Sequence, residues 1–209
     1  MPSITRQRRR DEPTAAALEV PAALERLLRR GESFTELSVR QIIEEAGVSR
    51  ATFYAHFKDK AQLIIHLADK VRERSLELAQ EWDPAAGEDG AERYAQFFRT
   101  VIRLHRENFA VLSAVRELAG YDPVVRDFYT ADLDGFDDAV RQTLVDQQAA
   151  GATPSGLDAT AASRVIVWGG GAAIARHIEV DDGSGDEVFA RELGSIWWYG
   201  AYRRPAVND

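Results

Sequence analysis

Apolar residues return every three or four positions through block after block of this chain, and no stretch of useful length alternates in period two. That spacing places them on one stripe of a helix and not on one face of a strand, so the expected class is all-α with about nine helices. The first block carries Leu24, Leu27 and Leu28 and stops at Gly31; Pro21 either opens this helix or kinks a longer one begun near Pro13. In "SVRQIIEEAG", Ser38 with Gln41 three residues later is a capping box, Val39, Ile42, Ile43 and Ala46 share a face, and Gly47 ends the helix. Ser49 caps a short helix with Phe53 and Phe57 four apart, and Asp59 caps a longer one with Leu63, Ile64, Leu67, Ala68 and Val71 inward, reaching about Trp82. Further blocks lie near 91–107, 108–119, 122–149, 158–179 and 186–202, punctuated by "GYDP", "GATPSG" and "DDGSGD".

With 209 residues, 45% of them hydrophobic, the chain can bury a substantial core. Cysteine is absent, which excludes disulfides, thiolate metal sites and thiol nucleophiles. No apolar run approaches the roughly 18 residues of a membrane span, and the polar, basic N-terminus has no signal-peptide core; the expectation is a cytoplasmic protein without membrane contact. The net charge of −8 is unevenly spread. Residues 1–60 hold eleven Lys/Arg against nine Asp/Glu, net +2, and the rest hold fifteen against twenty-five, net −10. Within the basic part, "RQRRR" at Arg6 to Arg10 reads by itself as a solubilising tail.

Two short helices about a glycine turn form a helix-turn-helix, whose second helix enters the DNA major groove while the first braces it. Val39, Ile42, Ile43, Ala46, Val48, Phe53 and Phe57 would join Leu24, Leu27 and Leu28 in a three-helix core. The groups left outward are Ser49, Arg50, Ala51, Thr52, Tyr54 and His56, suited to phosphates and base edges. The segment "FTELSVRQIIEEAGVSRATFYAHFKDKAQLI" resembles the DNA-binding segment of the TetR family of bacterial transcriptional regulators, with Ala-Gly-Val-Ser leading into the second motif helix and Tyr54, Phe57 and Lys60 in the family's following run. The resemblance covers about residues 21–68 and implies phosphate contacts from Ser38, Tyr54, His56 and Lys60 and base reading by Arg50, Ala51 and Thr52. It also turns the basic run, with Arg8, Arg9 and Arg10, into an arm for the DNA backbone or minor groove.

The same resemblance implies three segments: a flexible arm over 1–19, a helix-turn-helix domain over 20–68, and a larger helical domain over 69–209 that binds an effector and forms a homodimer. Gly169 to Gly171 within a helix cost about 1 kcal/mol each relative to alanine, a cost that close helix approach would explain. Gly170, Ala173, Phe189, Leu193, Ile196 and Trp197 are the candidate dimerisation residues, on a last helix with more apolar girth than a surface helix needs. Phe97, Phe98, Tyr129, Leu133 and Trp168 are candidates to line a pocket for a small hydrophobic effector. "SIWWYGAY" is similar to the subgroup of the mycobacterial ethionamide-resistance repressor.

Catalysis has no supporting pattern: the four histidines lack metal-ligand spacing, and neither a phosphate loop nor a nucleophile elbow is present. The expectation is a non-enzymatic, cofactor-free repressor released from a palindromic double-stranded operator by its effector, with the helix from Asp59 as the coupling lever. The alternative is a helical ligand-binding or scaffold protein that does not bind an operator.

Overall fold

The computed structural model describes residues 15–80 and 89–205. Among these there are nine α-helices and no strand: α1 (Ala15–Arg29), α2 (Val39–Ala46), α3 (Arg50–His56), α4 (Lys60–Gln80), α5 (Gly90–Glu107), α6 (Phe109–Ala119), α7 (Pro123–Ala149), α8 (Ala159–Val180) and α9 (Asp186–Trp197). A π-helical turn, Trp198–Tyr202, follows α9. The chain divides into two compact units, one running to Asp69 and including Ala110–Val125, the other comprising Lys70–Phe109 and the residues from Arg126 onward. Residues 110–125, placed with the effector domain by sequence, group with the first unit. The basic run at Arg8, Arg9 and Arg10 lies outside the described residues.

In the first unit Pro21 sits inside α1, which begins at Ala15. Val20, Ala23, Leu24, Leu27 and Leu28 of α1 are buried, as are Ile42, Phe53, Phe57, Leu63 and Ile64 of the next three helices. Each junction is fixed locally. The Ser38 hydroxyl accepts from the Gln41 amide while the Gln41 side chain accepts from the Ser38 amide, and Gly47 takes the left-handed conformation (φ 65°) that a side chain would disfavour. Asp59 Oδ1 accepts from the Gln62 amide at 2.8 Å and starts α4.

Glu45 of α2 ties that helix to α1, accepting from Arg26 at 2.9 Å and Arg30 at 2.8 Å. These hydrogen bonds, Arg30's the larger, hold the Glu45 carboxyl at about 2 against an ordinary 4.5. A depressed carboxylate contributes stability that is complete above its unfolded value and is lost as pH falls toward the folded one. The stability advantage of wild type over Glu45→Gln, followed by thermal unfolding, is expected to stay flat above about pH 5 and to disappear by about pH 2.

The second unit is organised by close packing of α5 against α9. A Cβ on Gly90 would fall on the Trp198 indole, and one on Gly194 would meet backbone atoms of Ala91 and Ala95. Around this contact Tyr94, Phe98, Trp197, Trp198 and Tyr202 form an aromatic cluster, with Phe98 and Trp197 edge to face at 4.8 Å. Burial pushes the Tyr202 hydroxyl up to about 12. The chain end is held by Thr153 Oγ1, which donates to the Tyr202 carbonyl at 2.8 Å, and by Arg203 stacked over Trp198 at 4.5 Å.

Candidate nucleic-acid interface

α3 is seven residues long, and its outward surface is set by how it is held. Ser49 Oγ accepts from the Thr52 amide at 3.0 Å and shares a hydrogen bond with the Thr52 hydroxyl at 2.7 Å, so both hydroxyls are engaged in starting the helix. Phe53 is wholly buried, and Phe57, which caps the helix, is nearly so. Turned outward are Arg50, Ala51, Tyr54 and Ala55. The Arg50 guanidinium lies 5.5 Å from the Tyr54 ring centroid, one turn apart, and has no carboxylate partner among the described residues. The pair forms a cationic, hydrogen-bonding edge on a rigid base. Thr52 and His56 are half-buried at the rim, and Ser38 is exposed at the start of α2.

Lys60 is directed elsewhere. Its ammonium donates to the Phe34 carbonyl at 3.0 Å and to the Leu37 carbonyl, and lies 4.9 Å from the Phe34 ring centroid. Burial lowers its pKa. Two of the three N–H donors of this ammonium are thus engaged by the loop before α2, which Lys60 closes. Lys58, omitted from the sequence reading, is exposed, and its side chain has no partner among the described residues. Lys60→Met is expected to cost about 1–3 kcal/mol by stranding two carbonyls. Thermal unfolding would register that loss while DNA titration of the folded protein stays unchanged.

In the second unit the sequence-derived residues scatter. Phe98 is buried in the aromatic cluster; Phe97, Leu133 and Trp168 are half-buried against the same core, and Tyr129 is half-buried on α7. Gly170 is buried where Trp197 comes close enough that a Cβ would sit 2.9 Å from its ring, and Leu193 is buried as well. Phe189 stacks on His177 at 4.1 Å, Ala173 is half-buried and Ile196 is 64% exposed. Gly170, Leu193 and Trp197 therefore join helices of one chain. Ile196, one of the dimerisation candidates, is outward, as are Val165 of α8, Val188 of α9 and Tyr199 of the π-helical turn, with Gly169 and Ala172 near Val165 along α8.

His177, Asp181 and Asp186 lie close enough to share a metal ion. Arg106 supplies the positive charge there instead, donating to both Asp186 oxygens at 3.0 and 2.5 Å and to the Asp181 carbonyl at 2.7 Å. The cluster is an ionic clasp joining α5, α8 and α9. No described helix is long and apolar enough to cross a membrane.

Residues 22–67 match the family model of bacterial regulatory proteins, tetR family. The match spans α2 and α3 with about half of α1 and the start of α4, so the capped α3 lies inside the matched segment. The whole-chain fold is TetR-like, an N-terminal DNA-binding domain followed by a larger helical domain. Salmonella enterica GusR superposes with a TM-score of 0.68 at 20% identity over 91% of this chain and 97% of its own. A transcriptional regulator from Saccharomonospora viridis in complex with choline gives 0.66 at 18% over 92% and 100%. FadR from Bacillus subtilis in complex with stearoyl-CoA gives 0.68 at 17% over 86% and 96%. No curated protein matches the chain by sequence. The segment match is confined to residues 22–67, and these solved structures, at identities of 20% or less, share the fold. The resemblance to the ethionamide-resistance subgroup gains nothing from them.

Proposed function

We propose that the chain is a homodimeric repressor that grips a palindromic operator through two copies of α3 and is released by a small, largely apolar effector bound in the second unit. The observation that carries this is the Arg50–Tyr54 edge, held on a capped and buried base inside the TetR-matching segment. Arg50 would donate to a guanine edge, Ala51 and Ala55 would leave room for thymine methyls, and Tyr54, His56, Lys58 and Ser38 would meet phosphates. The arm with Arg8, Arg9 and Arg10 would add backbone or minor-groove contacts. A helical ligand-binding or scaffold protein without operator binding is the weaker reading, since it gives no reason for an outward cation and phenol on so short and well-braced a helix.

Dimerisation would use the outward faces of α8 and α9, with Val165, Ile196 and Tyr199 covered by a second copy and Gly169 and Ala172 allowing close approach. The effector would lie near Phe97, Tyr129, Leu133 and Trp168. Choline and stearoyl-CoA, bound by two proteins of this fold, differ enough in chemistry that neither is carried over as the ligand here. α4, one continuous helix from Lys60 to Gln80, would transmit the effect, and the effector would act only through unequal affinity for the DNA-competent and released states.

Fluorescence anisotropy with duplex from upstream of the protein's own gene tests the reading. Tight binding that weakens linearly in log K against log salt, with a scrambled duplex weaker by about a thousandfold, is expected. Equal affinity for the two duplexes would remove the operator from the account.

A further inference from the structure

α2 carries a charge pair that its own helix disfavours. Arg40 stands in the first turn and Glu44 in the last, with Arg40 Nε donating to Glu44 Oε1 at 2.7 Å; the first turn has no acidic residue and the last no basic one. Helices are stabilised by anions near the N-terminus and cations near the C-terminus, and along one face a glutamate that precedes its cation is better than the reverse. This pair is the wrong way round on both counts. Its side chains are 84% and 59% exposed, so water screens much of the attraction that remains. Helix stability gives no reason for a cation at this end of α2, and the reason is to be found outside the helix.

Arg40 also differs from the arginines of α1, which are committed within the unit: Arg26 and Arg30 to Glu45 of α2, and Arg29 to Glu25 at 2.6 Å. It is the second residue of α2, two after Ser38. At 3.6 residues per turn it lies about 160° round the helix from the buried Ile42 and about 140° from Glu45, which faces α1. Arg40 is therefore turned away from both the core and α1. In a helix-turn-helix the first helix crosses the DNA backbone, and the free face of α2 at its Ser38 end is the part left to do so. A guanidinium there suits a phosphate, to which it can donate two parallel, charge-assisted hydrogen bonds. Arg50 and Lys58 would meet DNA as free cations, whereas Arg40 first has to leave a carboxylate.

We infer that Arg40 is a phosphate contact and that Glu44 holds it back: the carboxylate keeps the guanidinium in the free chain, yields it to the DNA backbone in the complex, and so sets affinity below what the same cation would give unpaired. The inference rests on reading the first unit as DNA-binding. A phosphate contact carries no base information, so a mixed-sequence duplex at low salt is a sufficient probe and the operator need not be known. Fluorescence anisotropy is measured for wild type, Arg40→Ala, Glu44→Gln and the double variant, their folds compared by circular dichroism. Arg40→Ala is expected to weaken binding about fivefold and to shrink the slope of log K against log salt by about one. Glu44→Gln is expected to tighten binding about threefold while Arg40 is present, and by clearly less once Arg40 is alanine. That difference isolates the restraint, because a carboxylate that merely repels DNA gives the same gain in both backgrounds. Equal gains overturn the inference, as does an Arg40→Ala chain with wild-type affinity and salt slope. If Tyr54→Phe with Lys58→Ala still weakens binding in that case, the DNA-binding reading stands and only the role of Arg40 and Glu44 falls. A wild-type chain that binds no duplex even at low salt rejects that reading and the inference with it.

Discussion

Replacing Gly194 by alanine is expected to lower stability by about 3 kcal/mol, the upper end of what overpacking costs. The added Cβ would lie 2.6 Å from the Ala95 nitrogen, 2.9 Å from the Ala91 carbonyl oxygen and 3.1 Å from the Ala95 Cα. All three are backbone atoms of α5, so no rotamer change relieves the contact and the two helices have to separate. Their separation would loosen the cluster of Tyr94, Phe98 and Trp197 that bridges them. In a chain of this size the midpoint should fall by about 6–12 °C in a calorimetric scan. Gly135→Ala is the contrast: nothing lies within 4 Å of the added carbon and the position is exposed in α7, so a gain of up to about 1 kcal/mol is expected from helix propensity. Equal midpoints for the two variants would mean that α5 and α9 do not approach as described.

The largest functional effects are expected on α3, and they divide by kind. Arg50→Ala removes the outward guanidinium and also the stacking partner of Tyr54. At the base pair it reads, discrimination should fall by about 1–3 kcal/mol, while affinity for unrelated duplexes changes little. Tyr54→Phe combined with Lys58→Ala removes groups that carry no base information. Affinity should then fall across all sequences, and the slope of log K against log salt should shrink by about one. Titrations of each variant against the preferred duplex and a single-base-changed duplex, at several salt concentrations, separate the two patterns. If Arg50→Ala weakened every duplex alike, Arg50 would be a phosphate contact and sequence reading would lie elsewhere on α3.

What could be read in advance was local. Ser38 with Gln41, Gly47, and Ser49 with Thr52 act within a turn of themselves, and the four-residue spacing of Phe53 and Phe57 fixes which side of α3 is inward; these features gave the motif its outline before any coordinates. Lys60 hid its internal partners for the opposite reason. The carbonyls it satisfies belong to Phe34 and Leu37, more than twenty residues earlier, and no periodicity near Lys60 announces them. Lys58, two positions away, was the exposed cation.

The glycines make the same point in the second unit. Gly169 to Gly171 were visible as a cost within a helix, and close approach was the right kind of explanation for Gly170, yet the group that approaches is Trp197 of the same chain. Gly194 gave no signal at all, because one glycine among large residues has no meaning until α5 is known to lie against it.

The central claim is that α3 reads DNA sequence as one of a symmetric pair. Rounds of selection from a pool of randomised duplexes on the purified full-length chain test it most directly. The account predicts enrichment of an inverted repeat whose half-site centres lie about one helical turn or a small multiple of it apart, and loss of one specified position when Arg50→Ala is used. A pool that stays random after selection, or one enriched for a motif without two-fold symmetry, would contradict it.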